Sequence, residues 1–75
     1  MEELVRFLAE NLVERPEAVH VRTFARGRRV RIRLSVAPED MGRIIGKEGR
    51  IADALREVVR VAARVQGKRA TLEIR

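Results

Sequence analysis

Ile44-Ile45-Gly46-Lys47-Glu48-Gly49-Arg50-Ile51 sets two glycines three residues apart between apolar segments of helical spacing, with a lysine inside and an arginine just beyond. Glycine within a helix costs roughly 1 kcal/mol against alanine, so the pair ends one helix and opens another. With no side chain at either position, a phosphate chain can approach the main-chain N–H groups that begin the second helix. The stretch predicts a turn between two helices and is the candidate functional centre. Lys47 and Arg50 add a point charge and a forked cation, Arg43 sits one turn earlier, and Ile45 and Ile51 offer an apolar floor. Glu48 stands against this reading, because a carboxylate inside the loop repels phosphate.

Moving toward the N-terminus, Ala37-Pro38-Glu39-Asp40 starts the first of these helices. Proline occupies the first position, and two acids sit in the first turn where the helix dipole favours them. Met41, Ile44 and Ile45 give it one short apolar face. Before it, residues 29–36 alternate, with Val30, Ile32, Leu34 and Val36 on one side and Arg29, Arg31, Arg33 and Ser35 on the other. Period two means a strand with one buried face. Residues 18–24 alternate in the same way, Val19, Val21 and Thr23 against His20, Arg22 and Phe24. Ala25-Arg26-Gly27-Arg28 joins the two strands as a hairpin turn. Residues 1–14 form a helix on Leu4, Val5, Leu8, Leu12 and Val13, ended by Arg15-Pro16.

Toward the C-terminus, the second helix runs from Gly49 to about Val65. Its expected core stripe is Ile51, Ala54, Leu55, Val58, Ala62 and Val65, and Gln66-Gly67-Lys68 closes it. Residues 69–75 alternate again and end the chain in a strand. The order α-β-β-α-α-β predicts three helices on one face of a three-stranded sheet, a two-layer α+β sandwich filling residues 1–75 as one domain.

Composition narrows the function. Seventy-five residues bury only about 60–65% of their unfolded surface, which leaves no core to spare for a deep enzyme pocket. The chain has no cysteine, which excludes disulfides and thiolate metal sites and fits a reducing cytoplasm. No apolar run approaches the roughly 20 residues of a membrane span. Net charge is +6, and 15 of the 17 basic residues are arginine. The charge is uneven: residues 1–25 carry −2 and residues 26–75 carry +8. Such asymmetry points to a polyanion-binding face. No nucleophile–base pair or metal cluster stands out, His20 has no second ligand beside it, and the acids sit at helix starts and on solvated faces. A non-enzyme that needs no cofactor is expected.

The run Gly42-Arg43-Ile44-Ile45-Gly46-Lys47-Glu48-Gly49-Arg50-Ile51 resembles the signature of KH domains, single-stranded RNA-binding modules whose Gly-x-x-Gly loop clamps four backbone nucleotides. The element order is similar to the bacterial, type II arrangement, since the chain opens with a helix where the eukaryotic arrangement opens with a strand. Because the domain fills the chain, the protein resembles the small stand-alone bacterial KH proteins of the KhpA family. The resemblance implies binding of short single-stranded RNA through Arg43, Ile45, Gly46, Lys47, Glu48, Gly49, Arg50 and Ile51, with Arg31 or Arg33 adding contacts. It further implies work in RNA metabolism or as an RNA chaperone, linked in some bacteria to cell elongation and division. Its implied partners are a second copy of the chain, in a homodimer, and a larger KH-containing RNA-binding protein.

Rival readings fail on the residues. A nucleotide P-loop needs Gly-x4-Gly-Lys-Ser/Thr after a strand. Here three residues separate Gly42 from Gly46, Glu48 follows Lys47, and the loop lies between helices. Modules that stack bases on aromatic rings are disfavoured in a chain whose aromatic residues are Phe7 and Phe24. On the long helix Arg56, Arg60 and Arg64 form a like-charge ridge, read as a solvated face partly neutralised by Asp53 and Glu57. Val59, Val61 and Ala63 fall outside the expected core stripe and are the candidate contact for a dimer or a protein partner. In the alternative reading, this helix face makes the chain a protein-interaction subunit.

Overall fold

In the computed structural model, which describes residues 1–75, helix α1 (Glu2–Leu12) leads through a 3-10 turn (Pro16–Ala18) into strands β1 (His20–Arg26) and β2 (Arg29–Ser35). A second 3-10 turn (Pro38–Asp40) runs into helix α2 (Met41–Ile45). A third (Lys47–Gly49) opens helix α3 (Arg50–Val65), and strand β3 (Arg69–Ile74) ends the chain. The α-β-β-α-α-β order expected from periodicity is the order observed.

The sheet order, which periodicity does not reveal, is β1-β2-β3. β1 and β2 are antiparallel, with Arg26 opposite Arg29. Only Gly27 and Arg28 separate them, so the turn is tighter than the four residues expected. Positive φ at Gly27 alone fits a turn that needs glycine at its first central position. β3 runs parallel to β2, Arg29 beside Arg69 and Leu34 beside Ile74. Parallel neighbours need a long crossover, which α2, the glycine loop and α3 supply.

The core lies between the sheet and the helices. Val5 and Ala9 of α1 meet Val21 of β1 and Val30, Ile32 and Leu34 of β2, with Ile44, Leu55, Val59 and Leu72 completing it. Ile32, Leu34 and Ile44 have no exposed surface. Burying side chains of this size is worth about 1.5–3 kcal/mol each. Along β1 the expected inner face stops early: Thr23 is exposed, and its hydroxyl donates to Glu2 Oε1 at 2.8 Å.

On α3 the buried residues are Ala52, Leu55, Val59 and Ala63; of the stripe read from the sequence Leu55 alone is fully buried, and Ala62 is half-buried. Ile51 is half-buried, whereas Ala54, Val58 and Val65 face solvent. The helix carries two apolar stripes at helical spacing, and the sheet takes the one with alanine near each end, where a small side chain lets the helix lie close. The proposed contact set breaks up for the same reason. Residues two apart lie about 200° round a helix. Val59 and Ala63 are therefore core residues at 1% and 0% exposure, and Val61 alone of the three faces outward, at 46%. The apolar surface that α3 presents to solvent is Ala54, Val58, Val61 and Val65.

Asp40 also departs from expectation. It is 1% exposed, and its two carboxylate oxygens accept hydrogen bonds from the backbone N–H groups of Glu14 and Arg15, each at 3.1 Å. It is therefore a buried clasp from the start of α2 to the chain leaving α1, rather than a solvated acid at a helix start. Beside it Arg15 donates to Glu39 at 3.0 Å and to Glu17 at 3.2 Å, which raises the arginine pKa above its ordinary value. The Glu39 carboxyl is held below its usual range, first by its own backbone N–H and then by Arg15.

Candidate nucleic-acid interface

The glycine loop joins a five-residue helix to a sixteen-residue one, and its backbone conformation accounts for its sequence. Gly46 has φ 75° and ψ 175°, a region essentially closed to residues with a side chain. Ile51 fills the space that a side chain would need: a Cβ placed on Gly46 would lie 2.6 Å from Ile51 Cγ1. The two residues thus interlock, and Ile51, half-buried against the core, fixes the loop from beneath. Gly49 is left-handed at φ 75° and ψ 13°, with open space where its Cβ would be.

Glu48 shares this handedness, at φ 58° and ψ 24°, and is the chain's one residue other than glycine with positive φ. Holding an L-residue there costs about 1–2 kcal/mol. Strain of this kind persists where surrounding structure enforces it. The Glu48 carboxylate turns onto Arg50, 3.5 Å away, with both side chains largely exposed. It draws away part of Arg50's charge without entering the turn.

No side chain caps the start of α3. The first N–H groups of a helix carry partial positive charge. Here those of Gly49 and Arg50 donate back to the Gly46 and Lys47 carbonyl oxygens in the 3-10 turn, so what this end offers an anion is the positive pole of α3. Lys47 beside it is exposed and has no carboxylate partner. Arg43 is committed elsewhere, paired with Glu14 and, at 3.4 Å, with Asp40. Ile45 is half-buried next to the turn. The structure therefore places Ile45, Gly46, Lys47, Glu48, Gly49, Arg50 and Ile51 around one turn, with Arg43 nearby but paired with Glu14 and Asp40.

Arg31 and Arg33 do not join them. They alternate with Ile32, which faces the helices, and so project from the opposite, open face of the sheet. There both reach Glu73, at 4.0 and 3.3 Å, and both lie over the Phe24 ring, at 5.1 and 5.3 Å from its centroid. The ridge on α3 splits: Arg56 pairs with Asp53 at 3.3 Å and Arg60 with Glu57, whereas Arg64 has no partner.

A three-stranded sheet with β2 and β3 parallel, covered on one face by helices, with a Gly-x-x-Gly turn between the second and third of them, defines a type II KH domain. Comparison with known proteins makes this specific. The family described as KhpA/KhpB, KH domain, matches residues 2–74, and the chain belongs to that family. Over 74 residues it is 47% identical to the RNA-binding protein KhpA of Clostridium perfringens and 49% identical to that of Caldanaerobacter subterraneus, covering 99% of each chain. The RNA-binding protein KhpA of Aquifex aeolicus is 39% identical over 74 residues, 99% of this chain and 94% of the relative.

Proposed function

We propose that the protein is a non-catalytic RNA-binding module that holds the backbone of a short single-stranded RNA at Gly46-Lys47-Glu48-Gly49, where α3 begins. One observation carries this reading: the interlock of Gly46 with Ile51 presents an uncapped helix start beside the unpaired Lys47. The loop gives a preformed surface for about four nucleotides. The relatives' shared name supports RNA as the ligand, and we extend the reading to a role in RNA metabolism or as an RNA chaperone. No helix is long and apolar enough to cross a membrane, and the reading places the chain in the cytoplasm with its RNA.

The test replaces Lys47 and Glu48 together by aspartate, with circular dichroism to check the fold. Fluorescence anisotropy with a labelled RNA of about four nucleotides should show binding at least about tenfold weaker. Unchanged binding by the folded variant would sink the assignment of the loop.

The exposed Val58, Val61 and Val65 favour a second activity alongside the first, docking of α3 against a protein. A second copy of this chain is the simplest occupant, and a larger KH-containing RNA-binding protein is the alternative. Sedimentation equilibrium of Val61→Asp against the parent separates them. A parent dimer that the variant loses supports self-association, and a monomeric parent at high concentration rules it out.

A further inference from the structure

The strongest unpaired positive charge on the molecule lies far from the glycine loop. α3 spans its sixteen residues, about 24 Å, and its far end meets the β1–β2 turn and the start of β3. Six cations gather there without a carboxylate partner: Arg26, Arg28, Arg29, Arg64, Lys68 and Arg69. Arg26, Arg29 and Arg69 are direct lateral neighbours across all three strands, on the open face of the sheet. Like charges opposite one another across strands are destabilising, so the row works against the fold that carries it. Two hollows of about 600 and 620 Å³ share Arg69 and Thr71 as lining, and no acid lines either.

The geometry points to a second phosphate-backbone site, which holds a segment of RNA outside the reach of the glycine loop. It rests on the RNA-binding reading for the identity of the polyanion. Five of the six cations are arginines, whose planar forks match phosphate oxygens. Protein partners anchor on apolar and aromatic pockets. The hollow beside α3 is lined by Arg28, Arg60, Arg64, Lys68, Arg69 and Thr71, with Ala70 its one apolar side chain. A backbone with regularly spaced charges fits this hollow, and the neighbouring one on the open face of the sheet sets Phe24, on which a base can stack, among Arg26, Arg29, Arg31 and Arg69. Two sites at opposite ends of one small domain let a single chain hold two stretches of RNA at a set distance.

The test compares the parent, the loop variant Lys47→Asp/Glu48→Asp and a far-end variant Arg28→Gln/Arg64→Gln/Lys68→Gln. Each is titrated with labelled RNAs of about four and roughly sixteen nucleotides across a salt series. The far-end variant should bind the short RNA like the parent. On the long RNA it should lose about tenfold in affinity, and the slope of log K against log salt should shrink by about 2, since each single-strand phosphate contact contributes roughly 0.7. The loop variant should lose the short RNA and retain salt-sensitive binding of the long one. Parent-like affinity and slope of the far-end variant on the long RNA would overturn the second site and leave the loop untouched. Failure of the loop variant to lose the short RNA would instead overturn the loop. Binding of the far end to phosphatidylglycerol vesicles but not to the long RNA would overturn the choice of RNA.

Discussion

The two ends of this domain are built in opposite styles. At the loop end the backbone is contorted and the charge is muted: Gly46, Glu48 and Gly49 have positive φ, Arg43 is held by Glu14 and Asp40, and Arg50 by Glu48. At the turn end Gly27 and Gly67 also have positive φ, but no neighbour is interlocked with them as Ile51 is with Gly46, and the charge is unpaired. Gly27 and Gly67 meet nothing within 4 Å, and arginines stand side by side with no acid between them. The contrast separates two ways of recognising a polyanion. The loop offers shape, a surface that one strand of backbone can touch closely. The turn end offers field, which attracts at a distance and reads little. Shape is costly to the fold at one or two residues, whereas field costs a little at many.

The difference can be broken residue by residue, beginning where the effect is largest. Gly46→Ala forces a Cβ to within 2.6 Å of Ile51 Cγ1 in a conformation nearly reserved for glycine. Urea denaturation should show a loss of about 3 kcal/mol, the sum of backbone strain and overpacking. The double variant Gly46→Ala/Ile51→Ala should cost less than the two single changes added together, because the clash is shared. If Gly46→Ala costs no more than Gly49→Ala, the interlock is not what shapes the loop.

Asp40→Ala tests the support behind the loop. It removes the carboxylate that accepts from Glu14 and Arg15, leaving two N–H groups without partners, and should cost about 2 kcal/mol in the same experiment. Asp40→Asn should recover part of that loss, since an amide oxygen can replace one of the two acceptors.

Gly49→Ala meets no neighbour and should cost about 1 kcal/mol, the penalty for a left-handed alanine. At the turn end the sign reverses. Arg69→Thr relieves the row and should stabilise the free protein by about 0.5 kcal/mol, a rise of roughly 2–4 °C in melting temperature. That gain should fade in 1 M salt, where the screening length is about 3 Å. A stabilisation that persists at high salt would mean the row is not electrostatically strained.

Much of this was legible in the residues. Clean alternation in 29–36 gave β2 almost to its ends, and the spacing of Gly46 and Gly49 placed the turn between α2 and α3. The side of α3 that faces the sheet was not legible, because apolar residues cover more than half its circumference and either stripe has helical spacing. Its resolution depended on Ala52 and Ala63, whose smallness admits close packing but scores weakly in a hydrophobic pattern. Asp40 could not be read either, since its partners are main-chain N–H groups 25 and 26 residues earlier. Arg31 and Arg33 enter the RNA site only through the family resemblance, whereas their alternation with Ile32 and Leu34 sets them on the opposite face of the sheet. The gathering of six cations at the turn end is invisible in one dimension, because the parallel pairing of β2 with β3 is what sets Arg69 beside Arg29.

That parallel pairing also ties the binding loop to the completion of folding. The loop lies within the connection that must cross the sheet before β3 can pair with β2. It takes its shape only when α3 packs down and Ile51 meets Gly46. If the loop holds RNA as proposed, a saturating ligand adds by mass action to the stability of the fold, about 2.7 kcal/mol when free RNA exceeds its dissociation constant a hundredfold. For a domain of this size that is a large share of the whole, and a rise in melting temperature on adding RNA would report it.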